Sequence, residues 1–343
     1  MPASRNDLTR NEAAWDADVF RLGGSLLQTW RWGEFKARHG WSVARVRAEQ
    51  AGGAGIAQIL FKHKGPLTMG YLPRGPLLSN DDPALWSALL RQVDRACRAR
   101  RAISLIVEPE RSLPTLPGGQ RLLPGPARIQ PARTVKVPLL DDDALLAQMH
   151  QKTRYNIRYS LRKGVKVGIE DPAGPGFDDF YALMEDTAQR NEYAIHSRAY
   201  YRDALATLGD HAVLAVARSP EGEAAAALVA TVGGPEAIYL YGASSTRHRT
   251  MQPGFALQFE TMRWARALGC RHYDLWGIPP HDPGTTATAG GDRLAGTRGD
   301  DWRGLYEFKV RFGGAIESYP EPLERRYVPV LPALARRFYG PQG

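Results

Sequence analysis

Residues 148–168 read Gln-Met-His-Gln-Lys-Thr-Arg-Tyr-Asn-Ile-Arg-Tyr-Ser-Leu-Arg-Lys-Gly-Val-Lys-Val-Gly. Arg154, Arg158 and Arg162 stand four apart with Tyr155 and Tyr159 beside them, so a helix here carries a cationic, aromatic stripe along one side. Ile157 and Leu161 are expected to face the core, and Gly164 to end the helix. Like charges at this spacing cost about 0.2–0.5 kcal/mol per pair, which an anion seated against the stripe would offset. A solvated basic face fits the same residues.

On either side of this stretch the same order of elements occurs. Before it, helical patterns at Trp15–Phe20 and Gln28–His39 precede strand-like runs Val43–Ala48, Ile56–Lys62 and Thr68–Leu72. Gly52-Gly53 and Gly65-Pro66 supply the turns of an antiparallel meander. Pro83–Arg101 is then a helix with Leu85, Leu89, Val93 and Cys97 on one face, and Ile103–Glu108 an apolar strand of the buried, parallel kind. Arg111–Arg133 reads as a Pro- and Gly-rich loop, and Thr134–Val137 as a strand leading into the basic helix. After it come strand Val165–Ile169, helices Phe177–Asn191 and Ala199–Leu208, strands Ala212–Ala217, Ala224–Val232 and Ala237–Tyr241, helix Gly254–Gly269 and strand His272–Leu275. The boundary is placed in Asp141–Ala147, giving domains 1–146 with 317–343 and 147–316. With 343 residues, 43% of them hydrophobic, each half can bury its own core.

A formal net charge of +9 favours a polyanionic partner: RNA, a nucleotide-linked metabolite or an anionic membrane surface. An Arg-rich chain also arises from base composition alone. Cys97 and Cys270 form neither a CxxC pair nor a disulfide framework, and the N-terminus has no apolar h-region, so a reducing, cytoplasmic setting is expected. His281-Asp282 has no third ligand, and no metal site is expected.

Several motifs resemble the Fem family, aminoacyl-tRNA-dependent transferases that build the cross-bridge of bacterial peptidoglycan. Lys152-Thr-Arg154-Tyr-Asn-Ile-Arg158 with Arg162-Lys-Gly-Val-Lys is similar to the family's junction segment. Gln28-Thr-Trp-Arg-Trp-Gly-Glu-Phe-Lys36-Ala-Arg-His-Gly-Trp41 resembles its opening motif, and Tyr71-Leu-Pro-Arg74-Gly-Pro76 its Tyr-x-Pro-Arg-Gly-Pro segment. Tyr239-Leu-Tyr241-Gly and Tyr273-Asp274-Leu-Trp-Gly277 resemble two strand ends, and Tyr306-Glu-Phe308-Lys309-Val-Arg-Phe-Gly313-Gly314 the closing motif. The resemblance implies an α/β fold of the α+β kind: two tandem GNAT-like acyltransferase domains with mixed sheets, and a C-terminal helix, Leu331–Phe338, packed back on the first.

The same resemblance implies roles. Lys36 would reach substrate phosphates, and Glu108, where the family often has Asp, would contact the acceptor; Arg74 is either an anion contact or a structural arginine. Arg198 and Tyr201 would hold the uridine diphosphate end of the acceptor, although Arg202 and Tyr200 fit the spacing too, and Tyr241 would contact the acceptor. Arg154, Arg158, Arg162 and Lys163 would meet tRNA phosphates. Lys309, with Phe308, would stabilise the developing oxyanion, and Asp274 is either a loop cap or a base.

Aminoacyl-tRNA would be the co-substrate, with no other cofactor, and the acceptor an amine on UDP-MurNAc-pentapeptide or lipid II, the latter at the inner face of the membrane. The enzyme is read as a monomer, and glycine, alanine and serine all fit as the amino acid. A free lysine amine has a pKa of about 10.4, so presenting it neutral at pH 7 costs on the order of 4–5 kcal/mol. No His/Asp or Cys/His dyad with a telling spacing offers a base. An acyl-CoA-dependent GNAT-like N-acyltransferase of envelope polysaccharide synthesis is the alternative. Against it, Arg247-His-Arg249-Thr-Met-Gln-Pro253-Gly254 keeps one glycine of a pyrophosphate loop, and Pro253 lacks a donor N–H. Pro279–Asp301, rich in Gly and Thr, reads as a mobile loop over the site.

Overall fold

Leu85, Leu89, Val93 and Cys97 recur at helical spacing and are all buried in one hydrophobic cluster, which places helix α3 (Pro83–Ala99) against a sheet. The computed structural model describes residues 11–116, 122–126, 128–191, 194–282 and 299–328. The chain divides into two compact units, Met1–Gln130 with Tyr319–Gly343, and Pro131–Ser318.

In the first unit, α1 (Glu12–Arg21) and α2 (Trp30–Arg38) precede strands β1 (Trp41–Gln50), β2 (Gly53–Lys64) and β3 (Leu67–Pro73). The expected helix from Gln28 is broken: Gln28 ends a short 3-10 turn, and Thr29 caps α2 by accepting from the Trp32 N–H. The meander is antiparallel, as expected. After the two-residue β4 (Leu77–Leu78) and α3, strand β5 (Ala102–Glu108) returns parallel to β3 along nearly its whole length. Its other edge is covered by the late strand Leu323–Arg326, which also pairs with β6 (Leu123–Pro124).

The second unit begins with β7 (Arg133–Pro138), then α4 (Asp142–Gln148), α5 (Gln151–Arg162), β8 (Lys166–Glu170), α6 (Pro175–Asn191) and α7 (Arg198–Leu208). Strands β9 (Ala212–Arg218), β10 (Ala224–Gly233) and β11 (Glu236–Ser244) form a second meander, followed by α8 (Pro253–Ala267), β12 (His272–Ile278), α9 (Gly299–Val310) and β13 (Ala315–Ser318); the first unit's late strand is β14. The sheet order is β13-β7-β12-β11-β10-β9-β8. Because β7 is hydrogen-bonded between β12 and β13, the boundary falls at Gln130/Pro131, earlier than the expected Asp141–Ala147. The return boundary is at Ser318/Tyr319 rather than 316/317.

Both units share one pattern: an antiparallel meander, a helix, and a strand returning parallel to the meander's last. They differ in how far that parallel pair extends. In the second unit β11 and β12 pair only over Glu236–Ile238 and His272–Asp274, and beyond that point their ladder stops. No helix among the described residues is long and apolar enough to cross a membrane. The expected helix Leu331–Phe338 and most of Pro279–Asp301 lie outside the described residues.

Candidate active site

Where β11 and β12 stop pairing, a cavity of about 890 Å³ opens. Tyr239 and Tyr241 from β11 and Trp276 from β12 line it, together with the start of α8 and residues of α9. Its cations are Lys152, Arg190, Arg249, Lys309 and Arg311, against the carboxylate of Glu307. Parts of this charge are engaged, since Arg311 pairs with Glu307 at 2.7 Å and Arg190 with Asp186 at 3.2 Å.

Lys309 is 5% exposed. Its Nζ donates to the Gly277 carbonyl at 2.8 Å and stands 5.6 Å from the centre of the Tyr239 ring. Burial pushes its pKa down to about 8, partly countered by the nearby Asp274 carboxylate. It is therefore largely protonated at neutral pH and able to donate to a developing negative charge. Phe308 packs edge-on against Phe255 and Phe312, at ring distances of 4.9 and 5.2 Å, which fixes α9 over the cavity. Gly313 and Gly314 of the same motif serve close backbone approach: a Cβ would stand 2.1 Å from the Gln148 carbonyl and 2.4 Å from that of Lys136.

Tyr201 and Tyr241 are brought together, with ring centres 4.9 Å apart and both facing the cavity. The Tyr241 hydroxyl bonds to Tyr200, which backs the wall, so both tyrosines of the ambiguous pair serve the same cluster. His196, not anticipated from the sequence, stacks on Tyr200 at 3.9 Å. Arg198 and Arg202 both pair with Asp178 and stack over Phe177; neither lines the cavity.

In the first unit, Lys36 is buried against the rings of Trp32, Phe35 and Trp41 at 5.6–6.0 Å. Burial, and then the neighbouring charge of Lys62, lower its pKa to about 8. Trp41 leads on to Tyr71, whose hydroxyl donates to Glu108 at 2.5 Å. Glu108 also accepts the N–H groups of Ile129 and Gln130, so its carboxylate is occupied in holding the loop to the end of β5. Burial nevertheless raises its pKa. Arg74, 2% exposed, stands 3.3 Å from the centre of the Tyr319 ring and reaches Glu110 at 3.8 Å, contacts of the kind its structural reading expects.

The basic helix forms as expected, but its buried stripe is Thr153, Asn156, Ile157 and Ser160. Leu161 falls beside that stripe and is 40% exposed, contrary to the core position expected for it. Arg154 turns inward and donates to the Met149 carbonyl at 2.6 Å, closing the end of α4. Arg158, Arg162 and Lys163 are exposed. At the other end of α5, Lys152, Thr153 and Asn156 reach the cavity.

Among the described residues no group of three or more His, Cys, Asp or Glu is arranged to hold a metal ion. Helix α8 starts from Gln252 in the left-handed conformation, with no side-chain cap and Pro253 next.

Comparison with known proteins follows this architecture. The FemAB family model matches residues 18–122, and a model described as an acetyltransferase (GNAT) domain matches residues 151–309. A lipid II:glycine glycyltransferase from Staphylococcus haemolyticus (strain JCSC1435) is 24% identical, covering 74% of this chain and 80% of its own. The protein of that name from Staphylococcus aureus is 25% identical, covering 76% and 81%. The crystal structure of FemX superposes with a TM-score of 0.77 at 21% identity, over 95% of this chain and 98% of that one. L-PGS from Bacillus licheniformis gives 0.56 at 15%, over 96% and 97%; both structures speak to the fold. Fold and site together define an acyltransferase with two GNAT-like halves. Within that class, the match to the FemAB family over residues 18–122 and the likeness to the glycyltransferases support a member of the Fem family.

Proposed function

We propose that the protein transfers an amino acid from an aminoacyl-tRNA to an amine of the peptidoglycan precursor's stem peptide. The observation that carries this reading is the buried ammonium of Lys309 in a cation-lined cavity. The neutral acceptor amine attacks the ester carbonyl. The new C–N bond forms, the tetrahedral oxyanion takes a hydrogen bond from Lys309, and collapse releases the ribose oxygen of the tRNA, which takes up a proton as the amine loses one. One such donor is typically worth about 3–4 kcal/mol. The cations Lys152, Arg190 and Arg249 suit the phosphates of the donor's terminal nucleotides. The names of the curated relatives favour lipid II as acceptor and glycine as the residue moved; alanine and serine are tested beside it. Lys36, with its depressed pKa and partner Lys62, suits a diphosphate on the acceptor.

The test is transfer of radiolabelled amino acids from a panel of charged tRNAs to lipid II and, separately, to UDP-MurNAc-pentapeptide, with RNase-treated and Lys309→Ala controls. Transfer that requires intact tRNA and falls by about 100-fold or more in the variant is expected. No transfer from any tRNA, with thermal stabilisation by acyl-CoA instead, would replace this reading with the acyl-CoA one.

A further inference from the structure

Strand β12 is interrupted where the cavity begins. Its register against β7 shifts between Asp274 and Gly277, so Leu275 and Trp276 bulge out of the ladder. Trp276 has φ +61, a left-handed conformation disfavoured for any residue with a side chain. Asp274 holds it there. The Asp274 carboxylate, 2% exposed, accepts the Trp276 N–H at 2.6 Å and the Thr134 hydroxyl. Beyond the bulge, the Gly277 carbonyl is the group that receives the Lys309 Nζ at 2.8 Å. Gly277 itself is pinned, because a Cβ there would meet the Pro131 ring at 2.6 Å.

We propose that Asp274 is a positioning residue for Lys309, holding the Trp276 bulge whose far side supplies the carbonyl that aims the Lys309 ammonium, and facing that ammonium as an anion. The proposal stands on the geometry of the second unit; its importance for transfer rests on Lys309 being the oxyanion donor. Lys309 is faced by Asp274 and the Gly277 carbonyl from β12 and by the Tyr239 ring from β11. On its own side of the cavity Glu307 and Arg311 pair with each other. Lys152, Arg190 and Arg249 line the same space. Asp274 in turn is faced by Glu236 from β11, by Lys136 and Thr134 from β7, and by its neighbour Tyr273. Burial, then Glu236, raise its pKa to about 6, so it is an anion where Lys309 titrates.

The experiment reads Lys309 without any substrate. The full chain is labelled competitively with acetic anhydride from about pH 6 to pH 11, and Lys309 acetylation is followed by peptide mass spectrometry. The wild-type midpoint is expected near 8. Asp274→Asn keeps an oxygen acceptor for the Trp276 N–H but removes the charge, so the midpoint should fall by roughly one unit. Asp274→Ser, uncharged and shorter, puts a hydroxyl in place of the carboxylate and should lower the midpoint in the same direction. An unfolded variant declares itself by moving in the opposite direction, towards about 10.4. An unchanged midpoint in folded Asp274→Asn overturns the proposal, and if that variant unfolds, an unchanged midpoint in folded Asp274→Ser does so. A wild-type protein that labels as expected yet transfers no amino acid leaves the positioning intact and sinks the proposed function.

Discussion

Lys309 is held in an environment that costs stability. Its folded pKa of about 8 lies below the ordinary lysine value of about 10.4, so between these limits the unfolded chain binds more protons than the folded one. Stability therefore rises with pH across that window, and below pH 8 the full burden of burying the charge remains. Lys309→Met is expected to raise unfolding free energy at pH 7 by roughly 1–3 kcal/mol, while abolishing transfer. Urea midpoints of wild type and variant should converge between pH 8 and pH 10; a gap that stays constant would show that burial of the charge is not its source. The sequence motif singled out this lysine. It could not show the bulge at Trp276 or the carbonyl of Gly277, because the bulge exists only in the register of β12 against β7, where Thr134 meets Asp274 and Pro131 meets Gly277.

At the scale of elements, helix α5 divides its basic residues between two tasks. Arg154 is committed to the Ala147 and Met149 carbonyls at the end of α4, whereas Arg158, Arg162 and Lys163 stand in solvent. Arg154→Ala should lower stability by about 1–2 kcal/mol in denaturant melts. The triple change of Arg158, Arg162 and Lys163 to Ala should leave the melt unchanged, weaken tRNA binding and reduce its salt dependence by roughly one unit for each phosphate contact removed. A salt slope identical to wild type would return those residues to the plain solvated face that the sequence also allowed. Four-residue spacing exposes a stripe but does not say which of its arginines has a carbonyl within reach. It misplaced Leu161 for a similar reason: the buried stripe of α5 is largely polar, so apolar character does not mark which positions face the core.

Across the whole molecule, the first unit depends on the chain's return. Strand β14 covers an edge of β5, and Arg325 and Tyr327 hydrogen-bond to the buried Asp94 of α3. A chain ending at Ser318 leaves that carboxylate without these partners and the β5 edge open. Hydrogen exchange should then accelerate strongly in Ala102–Glu108 and α3 while the second sheet keeps its protection. Unchanged protection in β5 would mean that the first unit is complete without its late strand. The second unit holds the cavity because its parallel pair stops early, at Ile238 and Asp274, whereas β3 and β5 stay paired along nearly their full length.

The sequence by itself determined the order of elements, the two meanders with their returning strands, and the motifs around Lys36, Tyr241 and Lys309. Those follow from local periodicity, from turn residues, and from side-chain types at fixed spacing. Tertiary structure decided what each residue faces. It enlisted Glu108 and Arg74 to hold the first unit's loops, turned Arg154 inward, and took β7 into the second sheet. It also split β11 from β12 beside a carboxylate that holds the bulge. The ladders, and contacts such as those of Glu108 with Ile129 and of Arg74 with Tyr319, join residues far apart in the chain, and such partners are fixed only when the sheets assemble.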